Sequence, residues 1–182
     1  MAKMILITGG SRSGKSAYAQ RIAESVSGAR TYIATCPVVD KEMEERIRKH
    51  REARDPSWRT IEEVTNLADA LASARGSEVI LVDCLTLWIN NLMYEAQKKN
   101  KRLGEDAIGA LSKNVVGICK ELPGSVVLVT NEVGMGIVPA DPVSRMFRDL
   151  AGRCNQIMAE QADTVIFMVS GLPIYIKGEK NL

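Results

Sequence analysis

Short, almost continuous runs of apolar residues alternate along this chain with longer segments whose apolar positions recur at helical spacing. The short runs predict strands at residues 4–8, 31–35, 78–83, 125–130 and 164–169, with smaller ones at 58–61 and 174–177. The longer segments predict helices at 15–26, 66–74, 85–98, 106–121 and 141–162, and one more that begins at Asp40 and ends before Pro56. Strands that are apolar throughout are typical of sheets buried on both faces. The pattern therefore predicts an α/β fold with a mostly parallel sheet and helices on both faces.

Length and composition narrow the class of protein. The chain has 182 residues, which fits a single domain spanning 1–182. Apolar residues make up 46% and charged residues 25%, as in ordinary globular proteins. The net charge of +2 is too balanced for an electrostatic nucleic-acid binder, so we expect no nucleic-acid partner. The apolar runs are far shorter than the roughly 20 residues that cross a bilayer, so we expect no membrane insertion.

The cysteines and the N-terminus bear on the compartment. The 4 cysteines are widely spaced and form no CxxC pair, which favours free thiols in a reducing compartment over a zinc site or disulfides. Polar and glycine residues follow the first apolar run after a few positions, so a signal peptide is not expected either. We expect a cytoplasmic protein.

Residues 9–16, Gly-Gly-Ser-Arg-Ser-Gly-Lys-Ser, match the phosphate-loop pattern G-x-x-x-x-G-K-[ST] between a predicted strand and a predicted helix. Glycines let successive backbone N–H groups turn toward phosphate oxygens, and the helix N-terminus adds its dipole. Lys15 would reach the β- and γ-phosphates, and the Ser16 hydroxyl would bind Mg²⁺. The segment predicts a nucleoside-triphosphate site in a P-loop NTPase fold of the RecA-like type. The alternative is an ordinary Gly/Ser-rich turn.

Two acidic residues near strand ends are candidates for the same site. Asp83 ends the predicted strand 78–83, where a carboxylate usually holds the metal of the nucleotide; a helix cap is its structural alternative. Glu132 follows the strand that ends at Thr130, and open α/β sheets bind ligands at this edge. A site role and a structural role stay equally open for Glu132.

The chain contains a single histidine, His50, on the helix predicted from Asp40. Arg46 and Arg54 lie one helical turn to either side, and Arg51 is adjacent. A solvated surface histidine is one interpretation. The other is a nucleophile toward phosphorus, because neutral imidazole is reactive near neutral pH and arginines would hold the phosphate oxygens.

Several longer strings occur in one order along the chain. They are the segment 5–16, Tyr-Ile-Ala-Thr at 32–35, Arg-Ile-x-x-His-x-x-x-Arg at 46–54, Trp-Arg-Thr-x-Glu at 58–62, Val-Asp-Cys-Leu-Thr-Leu-Trp at 82–88, Thr-Asn-Glu-Val-Gly-Met-Gly-Ile-Val-Pro at 130–139 and Phe-Arg-Asp-x-x-Gly-x-x-Asn at 147–155. With them the chain resembles, over essentially its whole length, the bifunctional adenosylcobinamide kinase/adenosylcobinamide-phosphate guanylyltransferase family of cobalamin biosynthesis. Val64 stands where many relatives would have a proline, which bears only on a local loop.

The resemblance implies a bifunctional transferase. ATP or GTP would phosphorylate the aminopropanol hydroxyl of adenosylcobinamide, and GTP would then donate GMP to that phosphate through a GMP–histidine intermediate on His50, giving adenosylcobinamide-GDP and pyrophosphate. It also implies a homotrimer. The phosphate-loop pattern itself, together with Asp83 at the end of its strand, predicts a catalytic Lys15 and Mg²⁺ held by Ser16 and Asp83. The implied nucleotide contacts are Gly9, Gly10, Ser11, Arg12, Ser13, Gly14, Lys15, Ser16, Thr35, Cys36, Pro37, Arg51, Glu52, Ala53, Arg54, Glu62 and Asp83.

Because the chain contains one phosphate loop, we hypothesise that one triphosphate site serves both steps. Three other functions are weighed against this one. An ATP-driven strand-exchange or motor module is disfavoured by the balanced charge and by the 4% aromatic content, which leaves few stacking platforms. A kinase without the transferase step is disfavoured by the histidine and its arginines. A non-catalytic nucleotide-binding regulator is disfavoured because the loop lysine and the metal-binding residues are present.

Overall fold

The computed structural model describes residues 3–37, 45, 48 and 55–179. Within these residues the strands of one sheet are β1 (Met4–Gly9), β2 (Arg30–Ala34), β3 (Trp58–Glu62), β4 (Val79–Asp83), β5 (Ser125–Val129), β6 (Thr164–Val169) and β7 (Leu172–Lys177). The helices are α1 (Lys15–Ser25), α2 (Leu67–Ser73), α3 (Leu85–Lys98), α4 (Glu105–Glu121) and α5 (Pro142–Gln161).

The strands lie in the order β3-β2-β4-β5-β1-β6-β7. Neighbouring strands are parallel throughout, except that β7 runs antiparallel to β6. Parallel neighbours need a crossover connection, which the helices between the strands supply. The predicted mostly parallel α/β sheet is confirmed, and its order is consistent with a P-loop NTPase fold.

Each face of the sheet has its own core, as β1 illustrates. Ile5 and Ile7 pack in one core with Ala19 of α1, whereas Met4 and Leu6 pack in the other with α2, α3, α4 and α5. All five of these side chains are at most 2% exposed. Successive side chains of a strand point to opposite faces, so a strand that is apolar throughout serves both cores. In the described part of the chain, no helix has the length and apolar character needed to span a membrane.

The predicted strands and helices agree with the observed ones to within two residues at each end. The largest difference is β7, which begins at Leu172 rather than at Ile174. Pro173 interrupts the sequence pattern there, but an edge strand accepts a proline, and Pro173 lies opposite Met168 of β6. The helix predicted between Asp40 and Pro56 lies outside the described residues, apart from positions 45 and 48.

The strand register brings the candidate residues to one edge of the sheet. Asp83, the last residue of β4, lies opposite Ala34 of β2 and Val129 of β5, and Val129 lies opposite Ile7 of β1. The segments that follow these residues therefore leave the sheet side by side. Among them is the loop that begins at Gly9.

Candidate nucleotide-binding active site

The loop between β1 and α1 has a backbone that requires glycine at two positions. Gly9 has φ +144°, and an added Cβ would lie 2.5 Å from the carbonyl oxygen of Met168. Gly14 has φ +91°, and its Cβ would lie 3.3 Å from the Cα of Gly171. Both conformations are accessible to glycine at little cost. The two glycines thus allow the chain to turn tightly against β6 and enter α1.

The loop forms one wall of a cleft of about 440 Å³. Asp83, Cys84, Val129 and Asn131 line the other side. The loop residues in the lining are Ser11, Arg12, Ser13, Gly14, Lys15, Ser16 and Ala17. The structure therefore brings together the phosphate loop and Asp83, as the sequence predicts. The volume of the cleft lies within the range of small-molecule sites in proteins.

Lys15 carries a buried charge in this cleft. Its side chain is 6% exposed, and Nζ donates a hydrogen bond to the carbonyl oxygen of Gly10 at 2.6 Å. Burial lowers the pKa of Lys15, and the acidic groups of Cys84 and Asp83 offset part of that effect. Burial, and then the neighbouring Asp83 carboxylate, raise the pKa of the Cys84 thiol to about 11. A polyanion in the cleft would stabilise the charged form of Lys15.

The Ser13 hydroxyl is buried at the floor of the loop without a partner among the described residues. The side chain is 8% exposed, and Gly171 N donates to the Ser13 backbone oxygen at 3.0 Å. Buried hydroxyls normally have a hydrogen-bond partner. A phosphate oxygen bound by the loop would supply one. Together with Lys15, this hydroxyl fits an anionic ligand.

The oxygen ligands that Mg²⁺ prefers are present in the cleft. Ser16 offers a hydroxyl and Asp83 a carboxylate, and Tyr32 donates a hydrogen bond to Asp83 Oδ2 at 3.2 Å. Proteins usually bind Mg²⁺ through one or two carboxylates, with phosphate oxygens and water completing the shell. These residues therefore fit the metal of a nucleotide–Mg²⁺ complex, in which Ser16 and Asp83 would be the protein ligands.

Thr35 lies behind Asp83 and is fully buried. Its hydroxyl donates to the Cys84 carbonyl oxygen at 2.7 Å and accepts from the Cys84 N–H at 2.8 Å. Its backbone N–H also donates to the Asp83 carbonyl oxygen at 3.2 Å. The contacts of Thr35 thus hold the chain at the end of β4, while the half-buried Cys36 and Pro37 continue along the same edge.

Glu62, the last residue of β3, belongs to the same edge because it lies opposite Ala34, which in turn lies opposite Asp83. The edge is therefore continuous from β3 to β1. The remaining predicted residues, His50 and the nucleotide contacts Arg51, Glu52, Ala53 and Arg54, lie outside the described residues. Their roles stay predictions.

Comparison with known proteins assigns the chain to a family. The family described as cobinamide kinase / cobinamide phosphate guanyltransferase matches residues 5–176. The chain belongs to this family. It is 41% identical over 181 residues to the bifunctional adenosylcobalamin biosynthesis protein CobU of Escherichia coli (strain K12), covering 96% of this chain and 99% of that protein. The resemblance drawn from the sequence strings is confirmed.

Two further relatives carry names of the same kind. The bifunctional adenosylcobalamin biosynthesis protein CobP of Pseudomonas aeruginosa (strain PAO1) is 43% identical over 175 residues, covering 96% of this chain and 97% of that protein. CobU of Salmonella typhimurium (strain LT2) is 41% identical over 182 residues, covering 96% of this chain and 99% of that protein. All three relatives match almost end to end, so the similarity is not confined to the phosphate loop.

A buried polar network beside the cleft was missed from the sequence. Thr130 donates to Asn155 Oδ1 at 2.8 Å, and Asn155 Nδ2 donates to the Asn131 carbonyl oxygen at 3.1 Å. Asn131 N donates to the Thr86 hydroxyl at 2.7 Å. The network fixes the chain where it leaves β5 and enters the loop that contains Glu132. The signal that could have revealed this network lies in the strings that carry the family resemblance. Those strings contain Thr130, Asn131 and Asn155.

Proposed function

We propose that this chain phosphorylates adenosylcobinamide with ATP or GTP and then transfers GMP from GTP to the phosphate formed. Family membership over 5–176 supports both activities. The single observation that carries the proposal is the cleft in which the phosphate loop, the buried Lys15 and Asp83 come together. Mg²⁺ held by Ser16 and Asp83 is part of the proposal and, when bound, would neutralise charge on the phosphates.

In the kinase step, the aminopropanol hydroxyl oxygen forms a bond to the γ-phosphorus while its O–H bond breaks and the proton is released. The bond between that phosphorus and the β–γ bridging oxygen breaks, and the nucleoside diphosphate leaves. Lys15 and the loop N–H groups bind the phosphate oxygens on which negative charge gathers, and this positioning supplies most of the catalysis in phosphoryl transfer.

In the transferase step, an imidazole nitrogen of His50 attacks the α-phosphorus of GTP and pyrophosphate leaves. The phosphate of adenosylcobinamide phosphate then takes GMP from the histidine, which regenerates the enzyme. Histidine is a competent nucleophile of this kind near neutral pH. Since the chain contains one phosphate loop, the proposal places GTP for this step in the same cleft.

We further propose that the protein forms a homotrimer and is located in the cytoplasm. Strand β7 is an edge of the sheet, and its residues Leu172 and Ile174 are 70% and 53% exposed. Exposed apolar residues on an unpaired strand edge favour self-association, which supports the implied homotrimer. Light scattering would then give three times the chain mass of 19.9 kDa. The free thiols support a cytoplasmic location.

The test is a stepwise reaction of the purified protein with adenosylcobinamide, Mg²⁺ and ATP, followed by GTP. Mass spectrometry should show adenosylcobinamide phosphate after the first addition and adenosylcobinamide-GDP after the second. Lys15→Met should lose the first product, whereas Lys98→Met, a change of an exposed lysine outside the cleft, should not. Failure of the wild-type protein to modify adenosylcobinamide with either nucleotide would overturn the proposal.

A further inference from the structure

A second cleft, of about 560 Å³, lies beside the end of β1. It is on the face of the sheet that does not pack against α1. We name it the α5 cleft, because Gly152, Asn155, Gln156 and Ala159 of α5 form one wall. The remaining lining residues are Leu6, Thr8, Glu132, Met135, Val165, Phe167 and Ile176. Most of this surface is apolar. The cleft is large enough for a small organic group but not for a whole corrin macrocycle.

The Thr8 hydroxyl in this cleft is buried and has no partner among the described residues. The side chain is 8% exposed. A buried hydroxyl without a hydrogen bond makes the folded state less stable than an apolar residue, or a hydroxyl with a partner, would make it. Thr8 directly precedes Gly9, the first residue of the phosphate loop. This hydroxyl is therefore a candidate contact for a polar group of a ligand bound beside the phosphate site.

One backbone hydrogen bond holds Glu132 against Gly9, the residue after Thr8, and a second fixes the Glu132 carboxylate within its own turn. The Glu132 N–H donates to the Gly9 carbonyl oxygen at 3.0 Å, and Gly134 N donates to Glu132 Oε1 at 2.8 Å. The preceding residue, Asn131, lines the nucleotide cleft, so one strand end contributes consecutive residues to both clefts. Among the described residues the turn to Gly134 uses only Oε1 of Glu132, which leaves the second carboxylate oxygen for a ligand.

We propose that the α5 cleft binds the hydroxyl-bearing arm of cobinamide, with Thr8 and Glu132 as its polar contacts. This inference rests on the proposed function. The arm carries an amide and a secondary alcohol on a short apolar chain. The Thr8 hydroxyl binds the amide, the Glu132 carboxylate accepts the hydrogen bond of the alcohol, and the apolar walls contact the chain. The exposed Met135 and Ile137 provide apolar surface at the loop for the larger ring.

In this arrangement Glu132 also takes the proton that the kinase step releases. The alcohol oxygen forms its bond to the γ-phosphorus while the O–H bond breaks and its proton passes to the carboxylate. The nucleoside diphosphate leaves with the electron pair of the broken P–O bond. The transferase step needs no such proton acceptor, because the phosphate that attacks GMP–His50 is already ionised. Glu132 should therefore matter for one of the two reactions only.

The experiment compares Thr8→Val and Glu132→Gln with two matched controls. Ser112→Ala removes another fully buried hydroxyl, and Ser112 lines neither cleft. Glu63→Gln changes a carboxylate that also accepts from the amide two residues on, that of Thr65 at 2.8 Å. Each variant is assayed for kinase kcat, for KM of cobinamide and of ATP, and for GMP transfer to cobinamide phosphate made by the wild-type enzyme. Unfolding midpoints and assembly mass are measured alongside.

We expect Thr8→Val to raise the KM of cobinamide about 3- to 10-fold, the loss of one hydrogen bond, with the KM of ATP unchanged. We expect Glu132→Gln to lower kinase kcat roughly 10²- to 10⁴-fold and to leave GMP transfer within about 2-fold of wild type. Both controls should behave as wild type in the two reactions.

Equal losses of both reactions in Glu132→Gln, or an unchanged kinase kcat, would overturn the inference alone, provided that the wild-type protein phosphorylates cobinamide. An unchanged KM for cobinamide in Thr8→Val would do the same. A changed assembly mass in Thr8→Val would show that the cleft is a subunit interface and would also overturn it. Absence of phosphate transfer by the wild type would overturn the proposed function itself.

Discussion

The Thr35 hydroxyl forms two hydrogen bonds with the backbone of Cys84, one to its carbonyl oxygen at 2.7 Å and one from its N–H at 2.8 Å. This pair of bonds joins the end of β2 to the residue that follows Asp83. The Cys84 carbonyl oxygen also accepts from Trp88 N at 3.2 Å, so it keeps a partner if Thr35 is changed. In the part of the chain that the structure describes, the Cys84 N–H has no partner other than Thr35.

Thr35→Val should therefore lower the free energy of unfolding by about 1–3 kcal/mol, because it leaves the buried Cys84 N–H without a partner. The same change should reduce kinase activity, since it loosens the backbone next to Asp83. Thr35→Ser keeps the hydroxyl and should retain most of the stability and activity. Urea unfolding of both variants measures the difference, and equal stabilities for Val and Ser would contradict the account.

Lys15→Met should separate activity from stability. Loss of the charge that binds the transferring phosphate should reduce kinase kcat roughly 10²- to 10³-fold. The ligand-free variant should be no less stable than wild type at neutral pH, because burial lowers the pKa of Lys15 and the charged form thus opposes folding. That opposition is complete below the lowered pKa and disappears as pH rises toward the ordinary value of 10.5. A marked loss of stability on Lys15→Met would show instead that the hydrogen bond from Nζ to the Gly10 carbonyl oxygen outweighs the cost of burying the charge.

Asp83→Asn should change the metal requirement. We expect kinase activity to need roughly 10- to 100-fold more Mg²⁺, since the amide replaces a charged ligand. Tyr32→Phe removes the hydrogen bond to Asp83 and keeps the carboxylate, so it should have a smaller effect in the same direction. Activity is titrated against Mg²⁺ at saturating ATP. Identical Mg²⁺ curves for Asp83→Asn and wild type would remove Asp83 from the metal site.

The cysteines should differ in reactivity. Cys36 is partly exposed, whereas burial raises the pKa of Cys84 and Cys154 to about 11 and that of Cys119 to about 12. Because the thiolate is the reactive form, a maleimide should modify Cys36 first in the folded protein and all 4 cysteines after denaturation. GTP should slow the first reaction if Cys36 contacts nucleotide as the family resemblance implies. Peptide mapping identifies the modified residue, and initial labelling at Cys84 would contradict the described geometry.

Local elements of this fold are well predicted from the sequence. Thr164–Val169 and Leu85–Lys98 are predicted at the residues where the structure has them, because apolar periodicity and flanking polar residues mark both ends. The cap before α5 is predicted as well: Asp141 precedes a proline, and its Oδ2 accepts from Ser144 N at 2.7 Å. The order of the strands follows from packing across the sheet, which a pattern of apolar positions does not contain.

In the candidate site, too, features that are contiguous in sequence are predictable, and features that the fold assembles from separate segments are not. The phosphate loop is contiguous in sequence, so its residues and spacing reveal it. The α5 cleft combines Thr8, Glu132 and Asn155 from three separate segments, and only the fold brings them together. The sequence alone therefore does not decide between a site role and a structural role for Glu132. The structure shows a turn contact for one carboxylate oxygen of Glu132 and a cleft beside it, and these two observations make the proposed catalytic role of Glu132 testable.

Labelling with GTP that carries a radioactive α-phosphate tests whether one triphosphate site serves both reactions. The wild-type protein should acquire an acid-labile, alkali-stable label and release pyrophosphate. His50→Ala should acquire no label, and Lys15→Met should lose both the label and kinase activity. A Lys15→Met protein that lacks kinase activity but is labelled at the wild-type rate would show that GTP binds elsewhere for the transfer step.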